Sequence, residues 1–182
     1  MTLVPPRRIV PFDALPQMRV ANEQRSLRRL LEDRLPKDAV AVGIFDVSLV
    51  DDQTGRRRER YWLPHFHILV AGITTAEARK LLRKLYATTK EVPRPSLIKD
   101  APTPRNTSAY SLKHVGDVKA RTIFDDRRNA GGEGKRKRRP GRPRQLKADE
   151  RAMVERWAQQ QRLDDHLLLK GLRRFGSTVK RT

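Results

Sequence analysis

Leu27, Leu30, Leu31 and Leu35 recur at intervals of three and four residues after a polar start near Asn22, a spacing that predicts an amphipathic helix laid over one face of a sheet. The run AVAVGIFDVSLV that follows is rich in valine and isoleucine and ends at Asp51, Asp52 and Gly55, so it predicts a strand running into a turn. YWLPHFHILVAG predicts the returning strand. Alternate residues of a strand share a face, which groups His65 with His67 and sends Phe66 and Ile68 to the other side. A hairpin centred near Gly55 and Arg56 sets Asp46 opposite His65, with Ser48 on the face of Asp46. A slip of one residue would destroy that arrangement. Pro64 has no amide to donate and marks a strand start, a bulge or an edge.

Farther along, Thr74 and Glu77 form a capping-box pattern ahead of an apolar stripe, Ala78, Leu81, Leu82 and Leu85, which predicts a second helix. Arg79, Lys80, Arg83 and Lys84 occupy the rest of its surface, either as a solvated face or as contacts for a phosphate backbone. PSLIKD, after Pro93 and Pro95, predicts a short strand. Asn106 or Thr107 would cap a helix carrying Tyr110, Leu112, Lys113 and Val115. Helices alternating with an antiparallel pair indicate an α+β fold, a ferredoxin-like antiparallel sheet flanked by helices. Around Gly131 apolar periodicity stops. The expected organisation is an N-terminal extension (1–21), the main domain (22–126), a basic flexible linker (127–145) and a helical C-terminal extension (146–182). In the last of these, Met153, Val154, Trp157 and Ala158 stand near helical spacing, followed by Leu163, Leu167 and Leu168. Trp157 is open to two readings, packing or stacking on a base.

Composition sharpens this outline. The 182 residues carry 41 lysines and arginines against 21 acidic residues, a net charge of +20, which makes polyanions the natural partners. Residues 127–182 hold 18 of the basic and 6 of the acidic side chains, so the C-terminal part is the more positive. Lys135, Arg136, Lys137, Arg138, Arg139, Arg142, Arg144 and Lys147 crowd one stretch and are expected to attract nucleic-acid phosphates. Within it, RPGRPR is similar to an AT-hook, although Pro140 precedes Gly141 where the common core has arginine. Groove binding, nonspecific phosphate contact and a solvated linker all remain open. The lack of cysteine excludes disulfides, thiolate nucleophiles and cysteine zinc knuckles. No stretch reaches the roughly 18 apolar residues of a membrane span, and the first residues lack a continuous apolar signal segment. The expectation is a cytoplasmic protein with no membrane partner.

Two imidazoles on one strand face can hold one divalent ion, or can serve only as packed polar side chains. Asp46 is the best-placed third ligand, with a turn or surface role as its alternative; Glu59 falls at the start of the returning strand. Tyr110 offers an oxygen nucleophile and Lys113, three residues on, shares its side of a helix. A metal that polarises phosphate and a cation that stabilises negative charge would lower different parts of one barrier. A packed aromatic and a surface lysine are the alternative.

PHFH at 64–67, followed by Tyr110, Ser111, Leu112 and Lys113, resembles the histidine-hydrophobic-histidine and later tyrosine-lysine motifs of rolling-circle replication initiators and related relaxases, in single-tyrosine form. The resemblance spans roughly residues 25–125. It implies a five-stranded antiparallel sheet flanked by helices, His65, His67 and Asp46 as ligands of Mn²⁺ or Mg²⁺, Tyr110 as nucleophile and Lys113 as the cation beside it. It implies nicking of single-stranded DNA at an origin or hairpin through a 5′-phosphotyrosine, leaving a 3′ hydroxyl for a polymerase. No GxxxxGKS or GxxxxGKT segment is present, so a separate helicase and a host polymerase are the expected partners. The rival expectation is a noncatalytic DNA-binding protein of the same fold.

Overall fold

A computed structural model describes residues 1–4, 9–54, 58–82, 88–89, 92, 95–100, 118–126, 137–175 and 178–181. The elements in order are β1 (Thr2–Leu3), β2 (Val10–Pro11), a 3-10 helix (Phe12–Gln17), α1 (Val20–Arg34), β3 (Val40–Asp52), β4 (Glu59–Ala71), α2 (Thr75–Leu82), β5 (Ser96–Leu97) and β6 (Lys119–Asp126). They continue with β7 (Lys137–Pro140), β8 (Arg144–Gln145), α3 (Ala148–Gln159), α4 (Leu163–His166), β9 (Leu167–Lys170), β10 (Leu172–Phe175) and β11 (Thr178–Arg181). The fold is a mixed α+β one: a central sheet in the order β5-β1-β4-β3-β6-β7 flanked by helices, with β10 and β11 forming a separate ribbon.

The spine is the β3–β4 hairpin, paired without interruption from Val40↔Ala71 to Asp52↔Glu59. Asp46 stands opposite His65, the register a hairpin centred between residues 55 and 56 demands. Alternation divides its residues into two faces. Phe45, Val47, Leu49, Trp62, Phe66 and Ile68 belong to a continuous apolar core together with Leu27 and Leu31 of α1 and Val154 and Trp157 of α3. Gly43 is needed at its place in β3, because a Cβ there would meet the His67 carbonyl and Ile68 Cγ1 at 2.9 Å. The Thr74 amide and hydroxyl both donate to Glu77, closing the capping pattern at the start of α2, where Ala78 and Leu82 are buried.

Several expectations need correction. The sheet is not wholly antiparallel: β6 runs parallel to β3, because β4 has already reversed the chain and β6 reverses it again on the other side of β3. The first 21 residues are not an appendage, since β1 and β2 pair with β4 and Leu3, Leu15 and Val20 are buried in the core. Nor is residue range 127–145 linker throughout. β7 and β8 pair with β6, in a register that runs from Ile123↔Pro140 to Asp126↔Lys137 for β7 and over Lys119–Ala120 for β8. The C-terminal extension is helical over Ala148–Gln159, then turns to strand, because β9 joins β3 over Ala41–Ile44. At Gly171, φ is +67° and a Cβ would lie 3.1 Å from the Ala39 carbonyl. That residue lets the chain leave the sheet for β10.

Pro64 is neither at a strand start nor at a bulge. It lies inside β4 opposite Val47, between the Tyr61–Trp62 stretch paired with β2 and the Phe66–His67 stretch paired with β1. The Ile68 amide donates to the Met1 carbonyl, so even-numbered positions of β4 point their backbone groups away from β3. At Pro64 the missing donor therefore points away from β3 and costs the β3–β4 ladder no hydrogen bond.

Candidate metal centre

The centre of the hairpin is the place where both outer neighbours are interrupted. Among the described residues β9 reaches only Ile44 of β3 and β6 begins at Leu49, so the strand backbone around Asp46 has β4 alone as partner. On that face the side chains of Asp46, His65 and His67 are 15%, 10% and 7% exposed. His65 Nε2 is 3.1 Å from His67 Nε2. Asp46 Oδ2 lies 3.5 Å from the first and 3.8 Å from the second. Donor atoms about 2.0–2.2 Å from one ion stand roughly 3.0–3.6 Å apart in octahedral or tetrahedral geometry, so the three atoms already have nearly the separations of a shared ligand set.

The remaining polar atoms reinforce that orientation. His65 Nδ1 is 3.1 Å from the Leu63 carbonyl, which can only accept, so Nδ1 carries a proton and Nε2 is the nitrogen turned toward the cluster. His67 Nδ1 is 3.2 Å from Thr2 Oγ1; a hydroxyl can accept from Nδ1–H, freeing the second Nε2 lone pair in the same direction. Asp46 Oδ1 accepts the Val47 amide at 2.8 Å, leaving Oδ2 for the imidazoles. Burial works to raise the Asp46 carboxyl. The His65 hydrogen bond and charge, the Val47 amide and the charge of His67 outweigh it, and the group is held below its ordinary value. Two imidazoles and a carboxylate suit Mn²⁺, Zn²⁺ and related divalent ions, and only three positions are taken, so an ion here would keep open sites. The set fits a divalent metal, and it is the one cluster of this kind among the described residues.

His166 was not singled out by sequence, and no spacing signal marks it. It packs against Trp157 and Phe45, ring centroids 5.3 and 6.3 Å away, on the core side of β3. Burial lowers its pKa, against the opposing pulls of the Phe45 backbone and of the Asp165 and Asp46 charges. It is a packed imidazole rather than a fourth ligand. Trp157 is likewise a packing residue, buried with its indole N–H donating to the Met18 carbonyl at 3.1 Å.

Tyr110 and Lys113 lie outside the described residues, as do Lys135 and Arg136. Lys137, Arg138 and Arg139 are strand positions of β7, and Arg142 and Lys147 are exposed. Arg144 differs from both groups. Its guanidinium grips Glu150 with two hydrogen bonds, 2.7 and 2.8 Å, and Arg60 reaches the same carboxylate at 2.6 Å. Burial works to raise the Glu150 carboxyl, but the Arg144 hydrogen bonds, the Lys147 amide and both arginine charges bring it down to about 2. The expectation that Arg144 contacts DNA therefore yields to a structural role. The AT-hook reading yields too: the Gly141 amide donates to the Thr122 carbonyl at 2.7 Å, and a Cβ on Gly141 would meet the Phe124 ring at 3.0 Å. The motif's backbone is paired with β6 at both of its ends, through β7 and β8.

No described helix is long and apolar enough to cross a membrane. Comparison with protein-family models, with curated proteins and with solved structures finds no match for this chain. The likeness to histidine-hydrophobic-histidine enzymes therefore stands on the residues, with which the buried triad is consistent.

Proposed function

We propose that this protein is a metal-dependent endonuclease and strand transferase for single-stranded DNA, serving to start rolling-circle replication of a plasmid or other mobile element. The observation that carries the reading is the convergence of Asp46, His65 and His67 on one point of a sheet face, in a chain of net charge +20. Mn²⁺ or Mg²⁺ held there would polarise the scissile phosphate. Asp46 and the two imidazoles provide the ligand set, their orientation fixed by Val47, Leu63 and Thr2. The Tyr110 oxygen would attack phosphorus and become esterified to the 5′ phosphate as the bond to the 3′ oxygen breaks. The tyrosine proton ends on the released 3′ hydroxyl. Lys113 would offset the negative charge that builds on the phosphate. Rejoining is the reverse reaction and consumes no nucleotide triphosphate. A separate helicase, a host polymerase and a cytoplasmic setting complete the proposal.

The test is formation of a covalent adduct. Purified protein is mixed with a single-stranded DNA library of varied sequence and Mn²⁺ or Mg²⁺, and denaturing gels are searched for a nick with protein joined to the new 5′ end. The adduct should vanish in Tyr110→Phe and cleavage should weaken sharply in His65→Ala and His67→Ala. An adduct that survives Tyr110→Phe would remove the assigned nucleophile. Tight binding of DNA and Mn²⁺ without any adduct would identify the noncatalytic DNA-binding protein instead.

A further inference from the structure

The face that carries the triad continues sideways onto β6. Leu49 neighbours Ala120 and Val50 neighbours Arg121 in the parallel register, so one step back Lys119 stands beside Ser48. Ser48 and Val50 share the face of Asp46, and Lys119 and Arg121 therefore emerge on that face as well. Both are exposed, and neither forms an ion pair or side-chain hydrogen bond among the described residues, unlike Arg60 and Arg144, which are engaged with Glu150. With strands about 4.8 Å apart and about 3.3 Å of rise per residue, the Lys119 and Asp46 Cα atoms lie roughly 8 Å apart, within reach of a lysine side chain. The Lys119 to Arg121 repeat along the strand is about 6.6 Å, close to the spacing of neighbouring phosphates in an extended single strand.

We propose that Lys119 and Arg121 form a phosphate rail: two cations that hold successive phosphates of a single-stranded polynucleotide as it crosses β6 toward the Asp46–His65–His67 cluster. The sequence motifs had assigned this part of the charge to the 135–147 stretch and to Lys113, whereas β6 brings two otherwise uncommitted cations to the face of the triad itself. The direction of the strand follows from the pairing, since Lys119 is nearer the cluster and Arg121 is one step farther toward the hairpin turn. The inference rests on the reading of the triad face as a nucleic-acid site, but its test does not depend on catalysis.

Fluorescence anisotropy with a labelled oligodeoxythymidylate, measured on the full chain across a range of salt, gives the number of phosphates neutralised. The double variant Lys119→Gln, Arg121→Gln should weaken binding about tenfold or more at moderate salt and reduce the slope of log K against log salt by about 1.4, two cations at roughly 0.7 each. The control is Arg151→Gln, Arg156→Gln, which removes the same charge from exposed positions of α3 on the other side of the sheet, and it should leave the slope unchanged. Equal losses in the two variants would reduce the rail to diffuse attraction and overturn it, as would an unchanged slope in the first. Mn²⁺ titration by calorimetry separates the two proposals. Normal Mn²⁺ binding with an unchanged slope defeats the rail alone, while a reduced slope in a protein that binds no Mn²⁺ defeats the metal reading and leaves the rail standing.

Discussion

The two faces of the β3–β4 hairpin are made from the same thirteen paired positions and do opposite things. On one face every central side chain is apolar and closed over by α1 and α3, with Phe45 and Phe66 in edge contact at 4.9 Å. On the other, at the very same pairs displaced by one residue, sit a carboxylate and two imidazoles. A strand offers this division without cost in length, because neighbouring residues point to opposite sides. Its lesson is that the rigid side holds the chemical side in register: Asp46 is flanked by Phe45 and Val47, and His65 and His67 flank Phe66, all buried in the core. Substitutions on the first face should act on stability, and those on the second on ion binding.

The largest effect belongs to the core face. Phe66→Ala should lower unfolding free energy by about 3–5 kcal/mol through lost burial and a cavity, read by urea denaturation, and should disturb Mn²⁺ affinity only as far as the fold is lost. A smaller loss would mean that α1 and α3 collapse into the space and that the register of the triad does not depend on this ring.

Next is the buried carboxylate that ties α3 to the sheet. The Glu150 pKa is about 2 against an ordinary 4.5, so its stabilisation is fully present above 4.5 and is lost as pH falls from there toward 2. That linkage amounts to about 2–3 kcal/mol, allowing for screening around the partly exposed arginines. Glu150→Gln should remove it at neutral pH and flatten the acid limb of the stability curve. A variant whose curve parallels the wild type between pH 4.5 and 2 would show that Arg60 and Arg144 contribute nothing through this group.

The third effect reverses the pattern of the first. Asp46→Asn keeps shape but removes the charged ligand, so the apo protein should change little. The wild type, at an Mn²⁺ concentration 100 times its dissociation constant, should gain about 2.7 kcal/mol from the ion; the variant should lose most of that gain. Thermal melts with and without Mn²⁺ measure both quantities. A variant that melts early without the ion but responds to it normally would make Asp46 part of the scaffold and break the division between faces.

Much of this division was legible because it is local. Valine-rich alternation and the turn near Gly55 were enough to set Asp46 opposite His65 and to group the imidazoles, since one register follows from one turn. The strands at the margins carried no such signal. Thr2–Leu3 and Val10–Pro11 are too short to show a period, and Leu167–Leu168–Leu169 suits a strand as well as the helix that Leu163 suggests. The basic run at 137–145 reads as solvated because nothing in its own spacing reveals the backbone pairing with β6. Parallel pairing of β6 with β3 depends on a contact some seventy residues apart, which is why the neighbours of the triad at Lys119 and Arg121 could not be found from spacing. His166 lies far in sequence from the His65–His67 pair, and its side of the sheet becomes evident only through Phe45 and Trp157.

The smallest effect probes how far the chemical face relies on those illegible margins. Thr2 is in β1, opposite His67, and its hydroxyl is 3.2 Å from Nδ1. Valine at this position keeps the β-branch and the backbone pairing but offers nothing to the ring nitrogen. The Nδ1–H form of His67, which leaves Nε2 free for an ion, then loses its acceptor, and partners of this kind are worth about 10–100-fold in metal affinity. Thr2→Val should therefore weaken Mn²⁺ about tenfold, equivalent to about 1.4 kcal/mol, with the melting temperature of the apo protein nearly unchanged; Thr2→Ser should restore the affinity. Undiminished binding in the valine variant would mean that His67 is oriented by the sheet alone. The chemical face would then be complete within the hairpin, and β1 would contribute only its backbone.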